Sequence, residues 1–348
     1  MECTRSRTAA VYLMFGILIG LLNGSARAAA QMSAPAAGDH RASVAPSLAL
    51  ELAALGDQDT IRVVLVMKEQ APIEELSRQL RAEGASQRKR HERVVRALQS
   101  AAASQGELLS ELARGRIAGT VKSYQGYWVA NFVEVTAIRE YLLGLLERSD
   151  IASMQPIVRA EPLDEEEMIP AHSRSADDRP DRGAACGLIT INADKVWQMG
   201  INGTGTIVAH IDTGVQGTHP ALASRWRGAQ GHPASECWKD MYDSLSVFPY
   251  DTDPHGHGTG TMGIMVGLGG PQDTIGVAWG ASWIAGIPTN FCLELFQWLI
   301  DPDLDPGTSD DRPDVVNCSF SMGQGFCREP WFPFSVFDNV QAAGTAII

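Results

Sequence analysis

The sequence predicts an α/β domain built on a parallel sheet, preceded by a smaller α+β domain. From Cys186 onward, near-continuous apolar strands alternate with helical segments, which is typical of a parallel sheet with helices on both faces. Residues 60–161 run instead as strand, helix, strands, helix and strand. The acidic, proline-containing stretch 162–185 between them can bury too little apolar surface to fold, so we expect an exposed, cleavable linker.

Residue periodicity gives the elements of the smaller domain. The β-branched run TIRVVLVMK (60–68) predicts the first strand. Apolar residues at helical spacing predict one helix around 73–80 and a longer one over 94–112. The remaining predicted elements are a strand pair over 120–136 with a turn at Gly126, a helix over 137–150 and a strand over 151–161.

Residue periodicity also predicts the strands and helices of the larger domain, which are further apart in the sequence. Three apolar runs predict buried strands, namely GTIVAHI (205–211), SWIAGI (282–287) and DVVNCSF (314–320). Two amphipathic stretches, 289–300 and 332–344, predict helices between them. The parallel sheet is therefore expected to lie within 186–348.

The N-terminus is typical of a secretory signal peptide. Basic residues precede an apolar run at 9–22, and small residues follow it, so cleavage after Ala28 is expected. The alternative is an uncleaved anchor, for which the run is short. Residues 29–59 are interpreted as a linker, and no later segment is apolar enough to span a bilayer. The mature protein is expected to be secreted or extracytoplasmic.

The net charge limits the classes of binding partner, and the number of cysteines bears on disulfide pairing. The net charge of −13 argues against nucleic acid and against anionic membrane surfaces. Five cysteines remain after loss of the signal peptide, an odd number for an oxidising compartment. Cys318 and Cys327 are near enough in sequence to bridge a loop.

Two residues carry the strongest chemical signal. Asp212 follows a buried strand, where parallel sheets place their sites, and a carboxylate there needs a partner. His257 lies about 45 residues later, at the start of a glycine-rich helix whose dipole favours a neutral imidazole. A carboxylate that orients a neutral histidine is the acid–base pair of a serine hydrolase, in the chain order Asp, His, Ser.

Other polar residues have plainer interpretations. Asp251, Asp253 and His255 precede His257, but no further His or Cys pattern accompanies them, so no metal site is predicted. His210 lies inside the strand and is interpreted as a hydrogen-bonded core histidine.

The motifs VAHIDTGVQGTHPAL and HGHGTGTMGIMVG resemble those of subtilisin-like serine peptidases, the subtilases. GVAWGASWIAG and PDVVNCSFSMG extend the resemblance over 186–348 and are most similar to the bacillopeptidase F branch. The resemblance implies that Asp212 is the triad acid and His257 the general base. It also implies that Ser319, Phe320 and Ser321 pair with the substrate backbone and line the primary specificity pocket. Two positions depart from the family pattern, Gly260 where a second His is common and Ser321 where Gly is usual.

Residues 60–161, notably GYWVANFVEV, resemble the family's inhibitory propeptide, a small ferredoxin-like α+β domain that would act as an intramolecular inhibitor. Protein or peptide substrates are the expected partners. The resemblance is compatible with structural calcium, although no oxygen-ligand loop is evident, and it implies no other cofactor.

The family's Gly-Thr-Ser nucleophile motif and its Ala-Gly-Asn turn are not found in the sequence. GTSD (307–310) lies in an acidic loop with no helix behind it and is rejected. We therefore expect the reading frame to continue past Ile348 and residues 1–348 alone to be inactive. Three hypotheses stay open: a secreted serine endopeptidase made as a zymogen, a non-catalytic peptide-binding relative, and an inhibitory module centred on 60–161.

Overall fold

The computed structural model describes residues 41–157, 186–270, 273–289, 293–319 and 334–348. The predicted signal peptide, the acidic linker, Phe320, Ser321 and Cys327 lie outside these ranges. Within them the chain forms two five-stranded sheets, each belonging to one unit, and a short two-stranded hairpin. In the same ranges no helix combines the length and hydropathy that crossing a membrane requires.

The N-terminal unit is a mixed sheet with helices against it. Its strands occur in the order β1-β5-β2-β4-β3, and β2, β3, β4 and β5 pair antiparallel. The strands are β1 (Ser43–Val44), β2 (Thr60–Met67), β3 (Val121–Tyr127), β4 (Phe132–Ile138) and β5 (Ile151–Pro156). The helices are α1 (Pro46–Ala54), α2 (Ile73–Ala82), α3 (Gln87–Ala102), α4 (Gly106–Ala118) and α5 (Arg139–Leu145).

The interpretation of residues 29–59 as a linker is wrong for its described part. β1 pairs in parallel with β5, and α1 buries Leu48 and Leu52 in the core between the sheet and its helices. Alanine and proline in this stretch signalled a loop, but proline at the start of a helix is compatible with the first turn. The N-terminal unit therefore includes residues 43–54.

Two other boundaries also differ from prediction. The turn between β3 and β4 lies at residues 128–131 rather than at Gly126, because Asn131 takes a positive φ of 49°. The helix predicted over 94–112 is two helices joined by a 3₁₀ turn at Ala103–Gln105. This bend lets the buried Gln105 amide donate to the carbonyl of Tyr127, 3.0 Å away.

The C-terminal unit is the predicted parallel α/β sheet, and that prediction is confirmed. All pairings in its order, β12-β11-β6-β10-β7, are parallel. The strands are β6 (Ile207–Ile211), β7 (Trp238–Asp240), β10 (Ser282–Ile287), β11 (Val315–Cys318) and β12 (Ala346–Ile347), with the separate hairpin β8 (Leu268–Gly270) and β9 (Asp273–Thr274). The helices are α6 (Cys186–Thr190), α7 (Ala193–Gln198), α8 (His257–Val266), α9 (Leu293–Ile300) and α10 (Phe334–Ala343).

The strand β6 is the point where the order of strands reverses. The chain places β7 and β10 on one side of β6 and then crosses to place β11 and β12 on the other. All five residues of β6 are buried, which explains its apolar sequence. The crevice at the carboxyl end of such a strand is where open parallel sheets bind ligands.

The two units share a continuous apolar core. Residues of α2 and α3 pack in one cluster with those of α9 and α10. Polar contacts cross the same interface: the Asn339 amide donates to the Val129 carbonyl at 2.7 Å, and the Trp128 backbone N–H donates to Gln297 at 2.8 Å. The N-terminal unit is therefore docked against two helices of the parallel-sheet unit.

A buried acid–histidine cluster lies in this interface. His91 and Asp301 are 0% and 1% exposed, and their nearest side-chain atoms are 3.9 Å apart. Among the described residues, neither ring nitrogen of His91 and neither carboxylate oxygen of Asp301 has a hydrogen-bond partner. Burial lowers the pKa of His91 to about 4, while burial and the nearby charges of Asp303 and Asp311 raise the pKa of Asp301 to about 7. In the folded protein, both side chains are therefore neutral between about pH 4 and about pH 7.

We expect Asp301→Asn to stabilise the protein, and more at pH 8 than at pH 5. The pKa of Asp301 is raised on folding, so its contribution to stability is lost as pH rises from the unfolded value of 3.8 towards about 7. The amide removes the buried charge that the native state carries at pH 8. Urea unfolding at both pH values measures the effect, with the exposed Asp310→Asn as the matched control. An equal effect at both pH values would contradict the assignment.

Candidate active site

The structure brings Asp212 and His257 together at the carboxyl end of β6. Nδ1 of His257 lies 2.8 Å from Oδ1 of Asp212. The Asp212 side chain is 1% exposed, whereas that of His257 is 23% exposed. The histidine therefore presents one nitrogen to a buried carboxylate while part of its ring remains open to solvent.

The second oxygen of Asp212 is also occupied. Nε2 of His210 lies 3.1 Å from Oδ2, and the hydroxyl of Thr261 lies 3.4 Å from it. On the first oxygen, the backbone N–H of Thr213 donates at 2.5 Å in addition to the His257 contact. His210 is buried and hydrogen-bonded, as the sequence suggested, but its partners belong to the site rather than to the general core.

Asp212 is ionised despite its burial. Removal from water alone would raise its pKa, but the hydrogen bond and electrostatic interaction with His210, followed by hydrogen bonds from His257 and the Thr213 backbone, outweigh that effect and lower the pKa to about 2. The carboxylate is consequently a fixed negative charge beside His257 at neutral pH.

Three side chains hold the first turn of α8 in place. The backbone N–H of His257 donates to Asp253 at 2.7 Å, and that of Gly258 donates to the Thr213 hydroxyl at 3.1 Å. The N–H of Thr259 donates to Asp251 at 2.8 Å. The N–H groups that a helix start leaves unpaired are thereby satisfied by side chains.

The Asp251 carboxylate joins this helix start to the loop after β6. It accepts the hydroxyl of Thr259 at 2.6 Å on one oxygen and that of Thr213 at 2.7 Å on the other. The loop that carries Asp212 and the helix that carries His257 are therefore fixed to the same group.

Two glycines allow the close approach that this arrangement needs. A Cβ at Gly258 would overlap the carbonyl oxygen of Gly214. Gly214 has a φ of +106°, a conformation that other residues adopt only with strain, and a Cβ there would overlap the carbonyl of Tyr250. The glycines in the two sequence motifs thus let the loop after β6 and the start of α8 touch.

Ser319 is the one predicted substrate-binding residue within the described ranges. It follows β11, its backbone N–H donates to the Ile211 carbonyl at 3.2 Å, and its hydroxyl accepts from Asn317 at 2.7 Å. It lies at the same sheet edge as Asp212. Among the described residues, no hydroxyl is hydrogen-bonded to Nε2 of His257.

The described residues contain no group of three or more His, Cys, Asp or Glu side chains arranged to hold a metal ion. Asp251 and Asp253 instead accept the hydrogen bonds of a loop and a helix start.

Sequence reasoning did not assign roles to Asp251, Asp253, Thr213 or Thr261. The helix-capping preference of aspartate could not have found them, because the N-cap position is Gly256, and Asp253 and Asp251 lie three and five residues before it. No local signal marks Thr261 either, whose role depends on its position one turn after His257 and on the distant strand β6.

A comparison with known families matches part of the chain. Residues 203–344 match the subtilase family. The matched part holds Asp212, His257 and Ser319 and covers 142 of the 348 residues.

Among individual proteins, the chain is similar to bacillopeptidase F of Bacillus subtilis (strain 168), with 30% identity over 242 residues. The alignment covers 66% of this chain and 17% of that protein. The chain thus spans about a sixth of the length of this relative.

Two solved structures are similar at lower levels. Fervidolysin from Fervidobacterium pennivorans, described as a keratinolytic enzyme related to subtilisin, is 14% identical, with a TM-score of 0.42 and coverage of 88% of this chain and 41% of that one. The CspB protease of Clostridium perfringens is 23% identical, with a TM-score of 0.32 and coverage of 44% and 37%.

We expect Asp251→Asn to destabilise the protein by about 1–3 kcal/mol, because an amide cannot accept from all the donors that converge on the carboxylate. The measurement is urea unfolding at pH 7. Asp243→Asn is the matched control, since Asp243 is exposed and accepts a backbone N–H two residues away in its own turn. Equal stability of the two variants would exclude the joining role of Asp251.

Proposed function

We propose that this protein is a secreted serine endopeptidase made as a zymogen, which hydrolyses peptide bonds with an Asp-His-Ser triad. The observation that carries the proposal is the 2.8 Å contact between His257 Nδ1 and the buried Asp212 carboxylate, inside a segment of the subtilase family. In this proposal Asp212 is the triad acid and His257 the general base.

The geometry supports a defined proton path. Asp212 holds the proton of His257 on Nδ1, so the free electron pair is on Nε2 and can accept the proton of a serine hydroxyl. The serine oxygen then attacks the substrate carbonyl, and the imidazolium that forms is stabilised by the ionised Asp212. His257 next gives this proton to the leaving amine, and water resolves the acyl-enzyme by the same route. The triad serine is the component that this proposal adds to the described site.

Substrate binding is proposed to use the residues after β11. Ser319, Phe320 and Ser321 would pair with the main chain of an extended peptide, a mode in which backbone hydrogen bonds give affinity. The support is the position of Ser319, which follows the strand next to β6 and is bonded to the end of β6 through Ile211.

The N-terminal unit is proposed to be an inhibitory propeptide domain of ferredoxin-like fold. Its four antiparallel strands have the order β5-β2-β4-β3, which is compatible with that fold. It also packs on α9 and α10 through a shared apolar core. The aligned segment of bacillopeptidase F is longer than the 203–344 match, so the similarity extends beyond the subtilase domain.

In the active peptidase, Asp212→Asn is expected to lower kcat by about 10⁴ without unfolding the protein, because the imidazole then favours the wrong tautomer. His257→Ala is expected to be at least as severe. Hydrolysis of a casein substrate and labelling by a fluorophosphonate probe are the measurements, with Asp243→Asn as the control. Near-normal hydrolysis by Asp212→Asn would reject the triad. A folded protein that neither labels nor cleaves would favour a non-catalytic peptide-binding or inhibitory role.

We expect maturation by cleavage between about Leu163 and Cys186, because the acidic, proline-containing composition predicts a linker that is accessible to proteolysis. N-terminal sequencing of the mature protein from culture medium is the measurement. A mature N-terminus within residues 60–161 would contradict the proposed propeptide boundary, and retention in the cytoplasm would contradict secretion.

A further inference from the structure

We propose that His210 is a positioning residue that fixes the Asp212 carboxylate from the side opposite His257, as a neutral histidine with its proton on Nε2. The inference rests on the proposed function for its catalytic consequence, but not for its geometry. It extends the Asp212–His257 pair to a three-residue array, His257–Asp212–His210, anchored on a third element through Asn317.

His210 is fully buried and has polar partners at both ring nitrogens. Its side chain is 0% exposed. Nε2 lies 3.1 Å from Asp212 Oδ2 and 2.7 Å from the Thr261 hydroxyl. Nδ1 lies 3.2 Å from the Asn317 amide nitrogen and 3.3 Å from the Asn317 carbonyl. Any buried histidine needs polar partners at its ring nitrogens, and what distinguishes His210 is that one of these partners is the carboxylate that also contacts His257.

The hydrogens can be placed so that each group is satisfied with His210 neutral. The Nε2–H group donates towards Thr261 and Asp212. Thr261 donates its own proton to the His257 carbonyl at 2.9 Å. Asn317 has two amide protons, one for the Ser319 hydroxyl at 2.7 Å and the other for Nδ1 of His210. These hydrogen bonds therefore favour the Nε2–H tautomer of His210, and they place no second charge beside Asp212.

A neutral His210 also suits the charge on His257. When His257 becomes an imidazolium, a second cation on the same carboxylate would repel it and weaken the base. Two charged or titratable groups face the His210 ring among the described residues: Asp212, which follows its own strand, and, across that carboxylate, His257 on α8. The neighbouring strand β11 contributes Asn317, and β10 pairs Ala285 with it, neither of which titrates.

The contact with His210 restricts rotation of the Asp212 side chain. Asp212 could turn about its side-chain torsions if only Oδ1 were held, and small misplacements of catalytic groups cost up to about 10²-fold in rate. With Oδ2 held by the Nε2–H group of His210, the Oδ1 lone pair stays aimed at His257 Nδ1. His210 contacts neither substrate nor the reacting atoms in this scheme and acts only through Asp212.

The test uses NMR of the full 348-residue chain and needs no peptidase activity. Imidazole ¹⁵N shifts report tautomer and charge, and the downfield Nδ1 proton of His257 reports its hydrogen bond to Asp212. In the wild type, His210 is expected to be neutral with its proton on Nε2 at pH 7. A cationic His210 at pH 7, or a proton on Nδ1, would overturn the proposal.

Three variants separate positioning from packing. His210→Leu is expected to move the His257 Nδ1 proton upfield or broaden it beyond detection, and His210→Gln, whose amide can donate to Oδ2, to retain it. His91→Leu is the matched control, because it removes another fully buried histidine, whose acidic neighbour is Asp301 rather than Asp212, and it should leave the resonance unchanged. An unchanged resonance in His210→Leu, or its loss in a folded His210→Gln, would overturn the proposal.

If His210→Leu does not fold, Asn317→Leu gives the second route. It removes the amide proton that Nδ1 of His210 accepts and leaves the Asn317 carbonyl beside Nδ1, so the Nε2–H tautomer is no longer favoured. An upfield movement or broadening of the His257 resonance is expected, while no movement would count against the array. In the active peptidase, His210→Leu should lower kcat by 10- to 100-fold with little change in KM, and His210→Gln should recover most of it. A protein that proves inactive in wild-type form would reject the proposed function while the NMR result still decides the role of His210.

Discussion

The negative charge of Asp212 at the end of a buried strand is the constraint on which the site depends. An ionised carboxylate out of contact with water is tolerated only when donors replace the lost solvent. Here those donors come from three places: the backbone after β6, the start of α8, and a side chain within β6 itself. Satisfying one charge therefore brings together elements that are far apart in the chain, and the orientation of His257 is a consequence of that requirement.

The helix that carries His257 is positioned by a second carboxylate in the same manner. Asp251 accepts from Thr213 and from Thr259, so a shift of the loop after β6 would also move the helix start. Gly214 and Gly258 permit the contact because no Cβ separates the two segments. The loop after β6 and the start of α8 are therefore fixed relative to each other. Hydrogen bonds hold the two segments together, and the two glycines allow their backbones to come into contact.

The sequence predicts the structural or chemical role of a residue where that role leaves a signal in the neighbouring residues. The apolar run of β6, the acid that follows it and the histidine at a helix start could be predicted because burial, strand end and helix start each leave a signature within a few residues. The role of His210 could not, since its partner Asn317 is 107 positions away and its neighbour Thr261 is on another element. The strand and helix at 43–54 were missed for a related reason: their stability comes from pairing with β5, which local composition does not reveal.

A comparison of Asp212 with Asp301, each a buried acid beside a histidine, shows that geometry, rather than residue type, decides protonation. Asp212 and His257 are 2.8 Å apart, further donors surround the carboxylate, and its pKa is lowered to about 2. Asp301 is as buried as Asp212, but His91 Nε2 lies 3.9 Å from it, its carboxylate has no hydrogen bonds among the described residues, and its pKa is raised to about 7. Burial penalises the charge in both places, and only the first provides the donors that offset it. A site that needs a permanent anion must therefore be built with all its partners in place, whereas the interface between the two units holds groups whose charge changes with pH.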